Sequence, residues 1–179
     1  ETAVSDDEIV YEKVQGHFWH IKYPVIDPKP GEPEYVVVAT TRPETMLGDT
    51  AVAVHPDPAA ALEKKMASLR ERMDGASKKE RIEMEAELER LAARQQTHLP
   101  RLLKLRDMAK QRRAVLLPLL DRPVPLIVDE WADPALGSGC VKITPGHDPN
   151  DYDVWNRHRN EIGIINILNT NGTLNENAG

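Results

Sequence analysis

Two short segments carry more polar chemistry than a buried core requires. Thr40-Thr41-Arg42-Pro43-Glu44-Thr45 follows directly on the apolar run Tyr35 to Ala39. Lys142-Ile143-Thr144-Pro145-Gly146-His147-Asp148-Pro149-Asn150-Asp151-Tyr152 leaves a second apolar run that begins at Cys140. Loops that leave a strand are where a rigid scaffold presents functional groups. Together these residues offer carboxylates for a cation or a proton, hydroxyls for hydrogen bonds, and cations for an anionic group. Each segment also has a plain structural reading. Asp148 and Asp151 lie where an Asp caps a helix or complements its dipole. Thr40, Thr41 and Thr45 can satisfy turn backbone groups. Arg42 can be a surface cation, and Lys142 in mid-strand can point outward.

Other chemistries find less support. His147-Asp148 beside Asp151 suggests a metal hydrolase, but His55 and His158 do not fall at a telling ligand spacing. Cys140 follows Gly139 in an apolar strand and reads as a small core residue rather than a nucleophile. The chain has no G-x-S-x-G elbow, no phosphate-binding G-x-x-x-x-G-K-[ST] loop and no G-x-G-x-x-G turn. No metal is expected.

The elements that must position these residues change character along the chain. Ile9 to Val14 and His17 to Tyr23 flank Gln15-Gly16 as a hairpin, and Tyr35 to Ala39 reads as a buried strand. Thr50 to Val54 alternates, with Ala51 and Ala53 on one face and Val52 and Val54 on the other. Leu62, Met66, Leu69 and Met73 then recur on one helix face until Asp74-Gly75 breaks the pattern. Ser77-Lys78-Lys79-Glu80 has capping-box spacing, and Met84, Leu88 and Leu91 continue a second helix. Neither narrow stripe is stable alone, so a helical hairpin follows. Thr97 to Pro100 ends it, and Arg101 to Arg113 reads as a third, shorter helix. Strand patterns return at Val115 to Leu119, Pro125 to Val128, Cys140 to Thr144 and Ile164 to Leu168, with a helix over Pro149 to Asn160. The expected fold is α+β: a small mixed, barrel-like sheet core with flanking helices, interrupted by a helical hairpin insertion over about 58–113. Residues 1–179 read as a single domain.

Composition bounds the setting. At 179 residues the chain can bury a core without disulfides or metals. Its apolar runs are too short to span a bilayer, so no membrane partner is expected. The first residues lack a signal-peptide pattern, and the single Cys fits a reducing, cytoplasmic home. A start without Met and an end at Ala178-Gly179 read as a piece of a longer chain. The net charge of −6 hides an asymmetry, because Asp57 to Arg113 holds 15 Lys and Arg against 10 Asp and Glu. A basic block in an acidic body points weakly to a polyanion partner, and a solvated helical surface explains it equally well.

Taken together, the two polar segments carry a resemblance. Ala39-Thr40-Thr41-Arg42-Pro43-Glu44-Thr45-Met46-Leu47-Gly48-Asp49-Thr50 resembles the threonine-rich motif of the editing domain of valyl-, isoleucyl- and leucyl-tRNA synthetases. Gly137-Ser138-Gly139-Cys140-Val141-Lys142-Ile143-Thr144-Pro145-Gly146-His147-Asp148-Pro149-Asn150-Asp151-Tyr152 is similar to the second motif of that domain. Glu44, the spelling Lys142-Ile143-Thr144-Pro145 with His147-Asp148, and the flanking Thr2 to Asp6 and Gly172 to Gly179 favour the valyl branch. The resemblance covers about residues 1–56 and 115–179. The stretch Ala59 to Arg113 departs from the pattern, and the ATP-binding HIGH-like and KMSKS-like signatures of the synthetases are absent.

The resemblance implies a hydrolase that removes threonine from tRNA(Val) after transfer. An apolar pocket cannot strongly reject an isostere that merely adds a hydroxyl, a limit for which valine-activating enzymes are themselves the standard example. A second, polar site inverts the preference, because valine would leave its buried hydrogen-bonding groups unpaired at about 1–3 kcal/mol each. By resemblance, Asp151 holds the α-ammonium. Lys142, Thr144 and Asp148 read the side-chain hydroxyl and position water, and Thr45 and Arg42 line the opposite wall, where Arg42 also meets the terminal nucleotide. Thr40, Thr41, Glu44 and His147 complete the binding set. Leu136 stands where the family often has Phe. The implied partners are the tRNA(Val) acceptor end carrying threonine and the remainder of the synthetase chain. No cofactor is implied for this domain, ATP and Mg belonging to the full-length synthetase. The alternatives are an acceptor-end binding module without activity and an editing domain of the isoleucyl or leucyl branch.

Overall fold

The computed structural model describes residues 16–179. The strand expected over Ile9 to Val14 lies outside them. Two sheets form the core. β1 (Trp19–Pro24) pairs antiparallel with β2 (Tyr35–Thr40). The larger sheet contains β3 (Ala51–Val54), β4 (Ala114–Leu117), β5 (Arg122–Val128) and β6 (Cys140–Ile143), in the order β4-β5-β3-β6. β3 runs parallel to β5 and antiparallel to β6. β2 packs on β6 and β1 on β4, with a single bridge between Val25 and Val115. The sheets therefore curl around a shared interior, but among the described residues they do not close into a barrel.

β3 explains why the interior has two compartments. All four of its residues are buried. Val52 and Val54 face a cluster with Tyr23, Val36, Val38, Leu105 and Leu126, while Ala51 and Ala53 face one with Ile127, Ile143 and Val154. The alternation of the sequence is thus large against small on two buried faces, as suits a central strand. A parallel β3–β5 pair requires a crossover. The helices occupy it: α1 (Pro58–Met73), α2 (Lys78–Thr97) and α3 (Leu99–Lys110).

The boundaries of α1 and α2 follow the sequence closely, whereas α3 begins two residues before and ends three residues before the expected Arg101 to Arg113, and the last helix stops at Arg157 rather than Asn160. Asp57 caps α1 by accepting from the Ala60 N–H. Ser77 and Glu80 form the expected capping box of α2. α2 and α3 meet at His98 with almost no loop, Pro100 lying in the first turn of α3 where its missing N–H is harmless. Leu62, Met66 and Leu91 bury the α1–α2 seam, and α3 lays Leu102, Leu105 and Met108 on the main core. β4 stops at Leu117, two residues short of the expected end. Leu119 has φ 73° and Asp121 φ 48°, so the chain turns tightly into β5 and leaves Leu119 exposed.

One expected strand is absent. Ile164 to Leu168 makes only a bridge between Leu168 and Leu174. Side chains, with one backbone bond from the Asn175 N–H to the Ile167 carbonyl, satisfy its backbone in place of a neighbouring strand. The Asn166 carbonyl accepts from the Asn175 and Asn177 amides, and the Ile167 N–H donates to His147 Nε2. Ile167 is buried while Ile164 is largely exposed, so the apolar run does not present one face to a sheet. α4 (Pro149–Arg157) completes the fold beside β6.

Leu105 joins the helical crossover to the sheet and is 1% exposed. Leu105→Ala is expected to lower stability by about 2–5 kcal/mol through the cavity it leaves. Denaturant titration checks this as a lowered midpoint with an unchanged slope.

Candidate active site

β6 places Lys142 opposite Val52, on the face that β2 covers. The side chain therefore enters the interior and is 5% exposed, not outward as mid-strand charge suggests. A buried ammonium must be paired and fully hydrogen-bonded. Lys142 Nζ donates to Asp49 Oδ1 at 3.0 Å, Thr45 Oγ1 at 2.7 Å and Thr144 Oγ1 at 2.5 Å. Those three bonds use all three of its donors.

Asp49, fully buried, is the counter-charge. It also accepts from the Thr144 hydroxyl at 2.6 Å and the Tyr23 hydroxyl at 2.5 Å. Burial pushes its carboxyl up from the ordinary range, while the Lys142 ammonium and the Thr144 and Tyr23 hydroxyls pull it back. Burial first, and then Asp49 itself, hold the Tyr23 phenol protonated far above its usual range, so it remains a donor. Sequence reasoning assigned no role to Asp49 or Tyr23. The available signal was an Asp fixed between Gly48 and Thr50 at the entrance to an all-buried strand, where a carboxylate needs a partner.

The first polar segment folds as a 3₁₀ turn, Pro43–Gly48, after β2. Thr40 Oγ1 accepts from the Arg42 N–H, and the Thr45 hydroxyl donates to the Arg42 carbonyl. The turn-stabilising reading of these threonines therefore holds for both. Thr45 serves two purposes, because its oxygen also accepts a hydrogen bond from Lys142. Arg42 reaches across to the second segment and donates to the His147 carbonyl at 2.8 Å, with Glu44 beside it.

The second segment ends in α4. Asp148 Oδ1 accepts from the Asn150 and Asp151 N–H groups, so Asp148 is the helix cap. Asp151 is not a cap. It turns inward, is 6% exposed, and accepts from the Thr144 N–H through Oδ2 at 2.8 Å. Among the described residues its Oδ1 takes no hydrogen bond. Burial raises its carboxyl to about 6, with Asp148 and Asp49 adding to the rise and the Thr144 N–H and Lys142 opposing it.

These groups meet at a cavity of about 330 Å³. Thr40, Thr41, Arg42 and Thr45 form one wall, and Lys142, Thr144, Asp148 and Asp151 the other. Leu136, Trp131 and Phe18 make an apolar rim, which the sequence indicated only at Leu136. Glu44 and His147 stand outside the lining. Glu44 is exposed beside Arg42, and His147 accepts from Ile167 through Nε2. Burial lowers the His147 imidazole below its ordinary value, with Arg42 and Lys142 assisting, which suits that acceptor role. Cys140 is buried and its thiol is pushed up to about 12 by burial, as suits a core residue. Among the described residues no helix is long and apolar enough to cross a membrane.

Comparison with known proteins defines the class first: the chain matches aminoacyl-tRNA synthetases along its whole length. More narrowly, the relatives it matches are valine–tRNA ligases. It is 59% identical over 179 residues to the valine–tRNA ligase of Rhodopirellula baltica, covering 100% of this chain and 17% of the relative. It is 39% identical over 179 residues to that of Oceanobacillus iheyensis and 40% identical over 178 residues to that of Clostridium tetani, covering 14% of each. The chain thus spans 14–17% of the length of these curated relatives. No family model matches it. Among solved structures, a chain of a LeuRS-tRNA-LeuAMS ternary complex from Agrobacterium radiobacter aligns with TM-score 0.45 and 18% identity, over 88% of this chain and 16% of that one.

Asp151 generates a prediction of its own. Its folded value of about 6 exceeds the ordinary 3.8. The folded state therefore binds the extra proton, and the stability this group lends at low pH is lost as pH rises through about 6. Asp151→Asn retains an oxygen for the Thr144 N–H and removes the charge. It should stabilise the protein at pH 7–8 by roughly 1–3 kcal/mol, the gain fading between pH 6 and 4. Thermal melts of both proteins across that range check it.

Proposed function

We propose that this chain is an editing module of a valine–tRNA ligase that hydrolyses the ester of threonyl-tRNA(Val). The observation that carries the reading is the inward-turned Asp151. A buried carboxylate, raised in pKa and with one oxygen free of partners among the described residues, lies in a cavity whose walls carry four threonine hydroxyls. A ligand ammonium is the group such a carboxylate lacks, and the charge-assisted bond favours its ionised form.

The remaining residues fit a substrate placed by that contact. Thr45 and Thr144 have committed their protons to Arg42 and Asp49, so each offers an acceptor lone pair to a substrate hydroxyl. Valine's methyl would leave that remaining lone pair on each oxygen unfilled. Lys142 has no spare donor and acts by fixing both threonines. Asp148 keeps Oδ2 without a partner among the described residues and lines the same wall, so it can hold a water against the ester. Arg42, half-exposed at the opposite wall, suits a phosphate or ribose of the terminal nucleotide. The tRNA's own free ribose hydroxyl is an equally good proton relay, and rate enhancement then comes mainly from positioning. The module holds no cofactor in this scheme. The tRNA(Val) acceptor end and the rest of the cytoplasmic synthetase chain, with its ATP and Mg, are the partners.

The test uses the full-length enzyme. Asp151→Ala should lower deacylation of Thr-tRNA(Val) by about 100-fold, the loss of a bond to a charged group, and leave valylation intact. Full deacylation by that variant would overturn the assignment. A wild-type enzyme that binds the acceptor end without turnover would leave only a docking module, and faster cleavage of isoleucine- or leucine-type tRNA would assign a sister branch. With the wild type, kcat/KM should rise with pH and level off above about 6, as Asp151 ionises in the free enzyme. A flat profile through that region removes Asp151 as the ammonium anchor.

A further inference from the structure

The helical crossover α1–α3 takes no direct part in the cavity, yet it holds the loop that does. Residues 131–139 run from the end of β5 to β6, and their outer side supplies Trp131 and Leu136 to the cavity rim. Their inner side is gripped by α2. Arg94 is 8% exposed and aims three donors at loop carbonyls: Nε and Nη2 at Pro134 O (3.0 and 2.7 Å) and Nη1 at Gly137 O (3.0 Å). One turn earlier, Arg90 donates to Ala135 O at 3.1 Å while a bidentate pair with Glu87 fixes its other edge.

Apolar contacts agree with the polar ones. Ala135, 1% exposed, is buried in the α1–α2 seam with Leu62, Met66 and Leu91. Lys65 of α1 adds an ion pair to Asp133, whose other oxygen accepts from the Ala135 N–H. On the opposite side the loop has no slack. At Gly137, with φ 50°, a Cβ would come within 2.6 Å of the Ala39 Cβ on β2. The loop is therefore wedged between α2 and β2: its own turn bonds shape it locally, and the helix fixes where it sits against the sheet.

We infer that Arg94 is a positioning residue for the substrate-binding wall, so that the helical stretch sets the width of the cavity between Leu136 and the Thr40–Thr45 side. A planar Arg fork holds two carbonyls in one rigid geometry, which the point charge of a flexible Lys does not reproduce. Loss of the fork lets the rim move away from whatever rests on it while Asp151, Thr144 and Lys142, held from β6 and α4, stay in place. The effect therefore falls on binding and not on the chemical step.

The inference rests on the editing reading and is tested in the full-length enzyme with Arg94→Ala and Arg94→Lys. Amide hydrogen exchange over residues 133–139 should accelerate at least about tenfold in Arg94→Ala and less in Arg94→Lys, while β6 and α4 keep wild-type protection. KM for Thr-tRNA(Val) deacylation should rise about tenfold in Arg94→Ala, with kcat within about twofold and a partial return in Arg94→Lys. Unchanged loop exchange overturns the clamp. Faster exchange with an unchanged KM, or a loss confined to kcat, overturns the role of the loop in binding. A wild-type enzyme that leaves Thr-tRNA(Val) intact overturns the editing reading instead.

Discussion

The architecture of the site depends on one buried ion pair. Lys142 and Asp49 meet in the interior where β2 covers β6, and neither charge could be there without the other. Satisfying both brings in Tyr23 from β1, Thr45 from the 3₁₀ turn and Thr144 from the end of β6. Five residues from three separate stretches of chain are thus fixed to one another by polar contacts of definite length. The pair adds little as an energy source, since desolvation offsets most of its attraction. Its contribution is specificity: each threonine oxygen has one orientation because its proton and one lone pair are already assigned.

Against this saturated network, Asp151 is the exception. It is nearly as buried as Lys142 but has a single backbone donor and no cation in contact. A protein that keeps a carboxylate so poorly compensated retains a cost that a neutral side chain would remove. That pattern, satisfied groups around one under-satisfied group, marks the place where a ligand completes the structure. Arg42 joins the two polar segments across the cavity through the His147 carbonyl.

The sequence made different parts of this visible to different degrees. Helices α1 and α2 were legible because Leu62, Met66 and Leu91 repeat on narrow stripes and Ser77 with Glu80 spells a cap, all local signals. The two polar segments were legible as segments, and nine of the eleven residues they and Leu136 suggested line one cavity. Asp49 and Tyr23 were not, because their roles exist only through partners far along the chain, 93 residues for Asp49 with Lys142 and 26 for Tyr23 with Asp49. The inward turn of Lys142 was hidden for the same reason: register with Val52 decides its face. Ile164 to Leu168 misled because an apolar run reports burial tendency, whereas its backbone bonds come from Asn175, Asn177 and His147, which no periodicity reveals. The grip of Arg94 on the loop was equally invisible, since a carbonyl has no letter in the sequence.

The long crossover between β3 and β5 also has a temporal side. Asp49 leaves the ribosome 93 residues ahead of Lys142. At translation rates of about 5–20 residues per second, that is a wait of roughly 5–20 s. During it the carboxylate lacks its counter-charge and β3 lacks β6, while α1 and α2 can already form their hairpin. The polar site is consequently the last part of this segment to assemble on a nascent chain, and its buried charges enter the interior together rather than one at a time.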